Sequence, residues 1–212
     1  MGELPDRSQI NKLELNIIHK GRWGNAVVSS FKWANRTYIL KDFSHCPKLF
    51  RYTVGPILVR REIKALMRLQ GVDGIPQEPS RVDSLALTYL FINGRKLSEV
   101  NNKLLNSDFF IQLEALVMKM HEHGVAHLDL RRGSNILYRD NGSPAIIDFQ
   151  SSIIMDKLPP RIRHLLQSID LSGVYKNWLR FAPSSLDSER KKLLSAINRV
   201  RRFWVLKGYP FG

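Results

Sequence analysis

Between His127 and Gln150 the chain reads HLDLRRGSNILYRDNGSPAIIDFQ, and no other stretch limits the fold so tightly. Two short apolar runs, Ile136–Tyr138 and Ala145–Ile147, flank RDNGSP, whose Asn141–Gly142 pair is a strong hairpin-turn signal. Antiparallel pairing of the runs sets Asn135, which enters the first strand, beside Asp148, which leaves the second. Asp129, six residues before Asn135, reaches the same end from the preceding loop. Two carboxylates and an amide gathered there offer hard oxygen ligands of the kind that suit Mg²⁺.

The segments before this hairpin read as a small sheet with one helix. Leu13–His19, Asn25–Lys32 and Thr37–Phe43 carry β-branched and aromatic residues between turns, one holding Gly21 and Gly24, the other Ala34–Asn35–Arg36. Residues 56–70 predict a helix with Pro56 in its first turn and Gly71 past its end. Its residues Leu58, Glu62, Leu66 and Leu69 fall on one face, so Glu62 lies inside the apolar stripe and calls for a nearby cation. Strands over Arg81–Asp83 and Leu85–Phe91 then lead to a turn at Asn93–Gly94.

Beyond that turn the pattern is helical. Phe109, Leu113, Leu116 and Met120 recur at three- or four-residue spacing, with Ser107 or Asp108 as cap and Gly124 as stop. Residues 160–181 and 185–206 read as further helices. The expected class is α+β: a β-rich unit over residues 1–92 and a mainly helical one over 93–212, as two lobes sharing a cleft.

His127-Leu128-Asp129 followed by Asn135, then Asp148-Phe149, resembles the catalytic loop and metal-binding element of the protein-kinase-like superfamily. The resemblance implies a two-lobed kinase-like fold, ATP as phosphate donor and Mg²⁺ as cofactor. It implies that Asp129 orients or deprotonates an acceptor hydroxyl, that Asn135 holds one Mg²⁺, and that Asp148 links metal to the β- and γ-phosphates. Lys41, at the end of a strand, falls where the family has its phosphate-binding lysine, with Glu62 as its partner. The turn with Gly21 and Gly24 falls at the nucleotide-covering loop, without the usual three-glycine spacing. Tyr89 and Phe91 precede Asn93–Gly94 where a hinge would meet adenine. Two departures stand out: the Asp129-to-Asn135 spacing is one residue longer than usual, and Gln150 replaces a glycine.

After Asp148 only SSIIMDKLPP precedes the next helix, which leaves no room for the platform on which protein kinases bind peptides. The chain therefore resembles, among compact members, the bacterial lipopolysaccharide-kinase-like proteins. That resemblance implies a sugar hydroxyl of a lipid-linked glycan as acceptor. A compact atypical kinase or ATPase of the RIO or Bud32 type is the alternative, and a nucleotide-binding pseudokinase scaffold a third.

The formal charge is +14, from 33 Lys and Arg against 19 Asp and Glu. Such an excess attracts polyanions: an anionic membrane surface, glycan phosphate or nucleic acid, the last being the less favoured. A solvated basic surface is the plainer reading. Arg161, Arg163, His164 and the C-terminal group Arg190, Lys191, Lys192, Arg199, Arg201, Arg202 and Lys207 carry much of it, opposite a core stripe of Leu193, Ile197, Val200 and Trp204. The single cysteine, Cys46, reads as a buried filler, and with no secretory signal or membrane-length apolar run the expectation is a cytoplasmic protein, with peripheral contact at the inner membrane face.

Overall fold

A computed structural model describes residues 4–21 and 24–203, with the side chains of 200–203 left out. Strands β1 (Asn16–His19), β2 (Val27–Trp33), β3 (Arg36–Asp42), β4 (Ser80–Arg81) and β5 (Ala86–Leu90) form one antiparallel sheet in the order β1-β2-β3-β5-β4. The β2–β3 turn places Ala34 and Asn35 at positive φ, 46° and 62°, the primed-turn geometry that suits a tight hairpin. Register sets Lys41 opposite Val28 on one side and Leu87 on the other.

Strand alternation gives the sheet two chemically different faces. Lys41 points to the helix α2 (Lys48–Arg68), where it meets Glu62. Tyr38 and Leu40 point the other way and pack with Phe31, Ala86 and Ile10, the last from a short N-terminal helix α1 (Arg7–Ile10). A capping box between Asp6 and Gln9 closes the start of α1.

Helix α2 begins eight residues earlier than periodicity predicts, and Pro56 lies inside it rather than in its first turn. The extra turns escape a pattern search because Leu49, Tyr52 and Val54 are exposed and mark no apolar stripe. Phe50 instead anchors this end by stacking on Phe43, with ring centroids 6.1 Å apart. The helix passes through Pro56 without the hydrogen bond that its missing N–H would make.

The second unit is built on α3 (Ser107–Glu122), α4 (Pro160–Phe181) and α5 (Ser188–Phe203). Asn106, not Ser107 or Asp108, caps α3 by accepting the Phe109 N–H at 3.0 Å. The expected face of α3, Phe109, Leu113, Leu116 and Met120, is buried, and Phe110 stacks on Trp178 of α4 at 5.4 Å. Strands β6 (Arg95–Lys96), β8 (Ile136–Tyr138) and β9 (Pro144–Ile146) make a small sheet in the order β6-β8-β9. A two-stranded ribbon joins β7 (Val125–Ala126) to β10 (Ile153–Ile154).

The chain divides into two compact units, one taking the residues up to Gly71 with Ile75–Ile92, the other Val72–Gly74 and everything from Asn93 on. Residues 72–74 join the second unit because the Gly74 carbonyl accepts the Ile146 N–H at 2.8 Å and Asp73 pairs in bidentate fashion with Arg139. Among the described residues no helix is long and apolar enough to cross a membrane.

Candidate active site

The hairpin forms with Ile136 opposite Ile146, one residue away from the strand limits expected for its second arm. The Ile147 N–H donates to the Asn135 carbonyl at 3.0 Å, so Asn135 faces Ile147 and Asp148 comes immediately after. There the chain turns sharply: Asp148 has φ 67° and ψ 70°, a left-handed conformation that Asp tolerates better than most residues.

Asp129 and Asn135 meet directly. The Asn135 amide nitrogen donates to the Asp129 carbonyl at 3.0 Å and to its carboxylate at 3.1 Å. With the nitrogen committed, the amide oxygen is the end of Asn135 left to receive a cation or a donor, such as the Ser134 hydroxyl at 3.4 Å. Burial pushes the Asp129 carboxyl above its ordinary value; His127, Arg132 and Asn135 pull it back, and the charge of Asp148 adds to the rise. Two carboxylates close enough to feel one another and one amide oxygen form an all-oxygen donor set, which fits a hard divalent cation.

His127 ties the two halves of this centre together. Its ring nitrogen Nδ1 accepts the Asp129 N–H at 3.2 Å while Nε2 donates to the Ile147 carbonyl at 3.0 Å, which requires the tautomer protonated on Nε2. The ring also meets Phe149 edge-on, centroids 4.8 Å apart. One buried imidazole thereby sets the spacing between the loop that carries Asp129 and the strand end that carries Asp148.

Asp170 is a residue that sequence reasoning did not pick out. From α4 it accepts the His127 and Leu128 N–H groups at 2.8 and 2.7 Å, and its carboxylate lies 3.1 Å from His121 Nε2. These bonds hold Leu128 at φ 69°, a conformation that costs a β-turn-averse leucine about 1–2 kcal/mol. Asn177, two turns further along the same face of α4, donates to the Leu130 carbonyl at 2.9 Å. Gly133, in the lengthened loop, has φ 73°, and a Cβ there would lie 2.8 Å from Asn177 Oδ1. The available signal was the buried polar series Asp170, Ser172 and Asn177, which spoils any clean apolar stripe along α4.

In the first unit Lys41 Nζ donates to Glu62 Oε2 at 2.6 Å, with both side chains almost fully buried. Tyr89 pairs with Ile39 and so lies on the same face of the sheet as Lys41. Phe91 falls outside β5, is exposed, and donates its N–H to the Thr37 carbonyl at 3.0 Å. Gly21 has φ 69°, and a Cβ there would come within 2.6 Å of the Asn25 carbonyl; one at Gly24 would strike the Phe50 ring at 2.7 Å. Arg22 and Trp23, between the two glycines, lie outside the described residues.

The short segment after Asp148 is ordered by β10 pairing with β7 and by the Met155 N–H donating to the Gly124 carbonyl at 2.7 Å, after which α4 starts at Pro160. Arg161, Arg163 and His164 are exposed. Arg190 is occupied: it pairs with Glu114 at 2.5 Å and with Asp187, and Lys192 pairs with Glu189. Among the described side chains of α5 the buried ones are Leu194 and Ile197, with Leu193 only half-buried. The side chains of Val200, Arg201 and Arg202, and all of Trp204 and Lys207, lie outside the described residues.

The family model for the RIO domain matches residues 26–190. No curated protein matches the chain. Among solved structures, the Rio2 kinase from Chaetomium thermophilum is similar with a TM-score of 0.58 at 14% identity, over 87% of this chain and 72% of that one. The Rio2 kinase-ADP/Mg²⁺-phosphoaspartate complex from the same organism is similar with a TM-score of 0.60 at 15% identity, over 90% of this chain and 71% of that one. The α+β kinase-like fold expected from the sequence is the fold observed. The resemblance to the protein-kinase-like superfamily is supported; the finer one to lipopolysaccharide kinases is not, since the matching family is the RIO domain, and neither a glycan acceptor nor a membrane contact finds support. The short segment between Asp148 and α4 bears on the peptide platform and not on which compact family the chain joins.

Proposed function

The chain belongs to the RIO domain family, and from that premise we propose that it is a compact atypical kinase moving the γ-phosphate of ATP to a hydroxyl acceptor. The observation that carries this reading is the Asp129–Asn135 hydrogen bond beside Asp148, with His127 tying the loop of Asp129 to the strand end before Asp148. Asp129 receives the acceptor proton: its carboxylate is half-buried and is oriented by the Asn135 amide, which donates to Oδ2. Asn135 and Asp148 are the residues that hold Mg²⁺, which when bound offsets charge on the β- and γ-phosphate oxygens. Lys41, kept in place by Glu62, binds phosphate oxygens of the nucleotide, and Tyr89 and Phe91 contribute to adenine binding. Gly21 and Gly24 let backbone N–H groups approach phosphate.

The test is transfer of label from γ-labelled Mg-ATP to hydroxyl acceptors, among them seryl peptides and the chain itself. Wild type is expected to transfer or hydrolyse, and Asp129→Asn to bind ATP within a few-fold of wild type without turning it over. Equal turnover by the two proteins contradicts the assignment of Asp129.

A second reading is favoured by the phosphoaspartate in the Rio2 complex. A carboxylate oxygen of Asp148 or Asp129 attacks the γ-phosphorus, the bond to the β–γ bridging oxygen breaks, and ADP leaves with that electron pair. Water then attacks the acyl phosphate, releasing phosphate and regenerating the carboxylate. Label retained in acid but released by hydroxylamine separates this ATPase cycle from transfer to a hydroxyl.

A further inference from the structure

Residues 4–13 precede the segment that the RIO domain model matches, yet they are built into the same unit as Lys41. Ile10 is 1% exposed and packs on Phe31, Tyr38 and Leu40, with Leu4 and Leu13 against the same cluster. Arg7 is held at the end of β3. Its guanidinium donates to Asp42 at 2.5 Å and 3.4 Å and to Asp83 through Nε at 2.7 Å, with a further N–O approach to Asp83 of 2.6 Å.

Asp42 is the residue next to Lys41. The strand alternation that sends Lys41 to Glu62 on one face sends Asp42 to Arg7 on the other. Asp42 Oδ1 also accepts the Ser44 N–H at 2.8 Å, which sets the chain direction as it leaves β3. Asp83 sits in the β4–β5 connection and donates its N–H to Ala86, the residue paired with Asp42. A planar cation therefore bridges two carboxylates from neighbouring strand ends, one residue from the buried lysine. Without it the two carboxylates face each other only partly solvated, since Asp42 is 8% exposed, and their repulsion acts on the last residue pair of the β3–β5 ladder.

We infer that Arg7 is a positioning residue for Lys41: the N-terminal segment clasps the reverse face of the sheet and holds the end of β3 in the register that nucleotide binding requires. This rests on the reading of Lys41 as a phosphate-binding residue. Asp42 is held below its ordinary value, with burial opposing and the Arg7 hydrogen bond chief among the contacts that lower it, so the cation keeps Asp42 ionised.

The experiment is a titration of the full chain with a fluorescent analogue of ADP in Mg²⁺, comparing wild type, Arg7→Met, Lys41→Met and the double variant. Arg7→Met is expected to weaken binding by roughly threefold to tenfold and to add little in the Lys41→Met background, the mark of two residues acting through one element. Turnover at saturating ATP should stay within about twofold, so the change falls in KM rather than kcat. Asp42→Asn with Asp83→Asn, added to Arg7→Met, should restore most of the affinity by removing the repulsion. Tyr175→Phe, in the other unit, controls for general loss of stability: it lowers the melting temperature without moving nucleotide affinity. Unchanged affinity in Arg7→Met, with Lys41→Met impaired, overturns the clasp and leaves the reading of Lys41 standing. Unchanged affinity in Lys41→Met overturns that reading itself. Should Arg7→Met fail to fold, Arg7→Lys keeps the charge and loses the fork; an affinity equal to wild type in that variant also counts against the inference.

Discussion

The Asp170 carboxylate accepts the Leu128 N–H at 2.7 Å, so a helix 42 residues downstream holds the backbone immediately before Asp129. The bond fixes a leucine at positive φ, and the same carboxylate takes the His127 N–H and lies against His121. The loop's shape is thus imposed from α4 rather than chosen locally.

Asp170→Ala is accordingly expected to leave two N–H groups, one buried and one partly buried, without their acceptor and to cost about 2–4 kcal/mol of stability, read by denaturant unfolding. Turnover should fall further than stability explains, because Asp129 moves with Leu128. A variant with normal unfolding and normal turnover would show that the loop holds itself.

Gly133→Ala tests the lengthened loop. A Cβ at that position meets Asn177 Oδ1 at 2.8 Å and the backbone is left-handed, so the substitution is strained on both counts. A loss of about 1–3 kcal/mol in thermal or denaturant unfolding is expected, with lower turnover. Gly142→Ala, in the hairpin turn with its nearest neighbour at 3.5 Å, shares the positive φ but not the clash. It should therefore cost less.

The pH dependence follows from Asp129. Burial raises its carboxyl above the usual 3.8, so in its proposed role as general base it is expected to lose its charge, and the enzyme its rate, as pH falls through that raised value. Arg132 is exposed and its charge opposes the rise, so Arg132→Met should carry the acid limb of the kcat profile to higher pH. The linkage sign agrees. A carboxyl whose folded value is raised adds stability below its unfolded value and loses it as pH rises through the folded one. Asp129→Asn should therefore be at least as stable as wild type at neutral pH by thermal unfolding.

Asp148→Asn should weaken nucleotide binding in the presence of Mg²⁺ and leave metal-free binding nearly unchanged, as measured by titration with and without chelator. Equal affinities of wild type and variant in Mg²⁺ would remove Asp148 from the metal set.

Glu62→Gln breaks one side of a buried ion pair. Loss of a partner in such a pair costs about 3–5 kcal/mol in the general case, and the amide, which still accepts a hydrogen bond, should recover part of it. Reduced stability together with weaker ADP binding is the expected result; full stability with full binding would make the pair incidental.

The hairpin over 136–146, the burial of Glu62 and the meeting of Asp129 with Asn135 were legible in the amino-acid order, because each depends on contacts a few residues apart or on a simple period. Turn chemistry at Asn141–Gly142 and the helical period of Leu58, Glu62, Leu66 and Leu69 suffice for them. The start of α2 was not legible, since its first turns present Leu49 and Tyr52 to solvent and are anchored only by Phe50 on Phe43. Equally hidden were Asp170 beneath His127 and Leu128, and Arg7 across Asp42 and Asp83. These join residues 35 to 76 positions apart, where no periodicity couples one partner to the other. Local order determined which oxygen-bearing side chains this chain possesses and how they are spaced; only tertiary packing decided which buried charges hold them still, because a carboxylate finds its N–H or guanidinium partner through the fold and not along the chain.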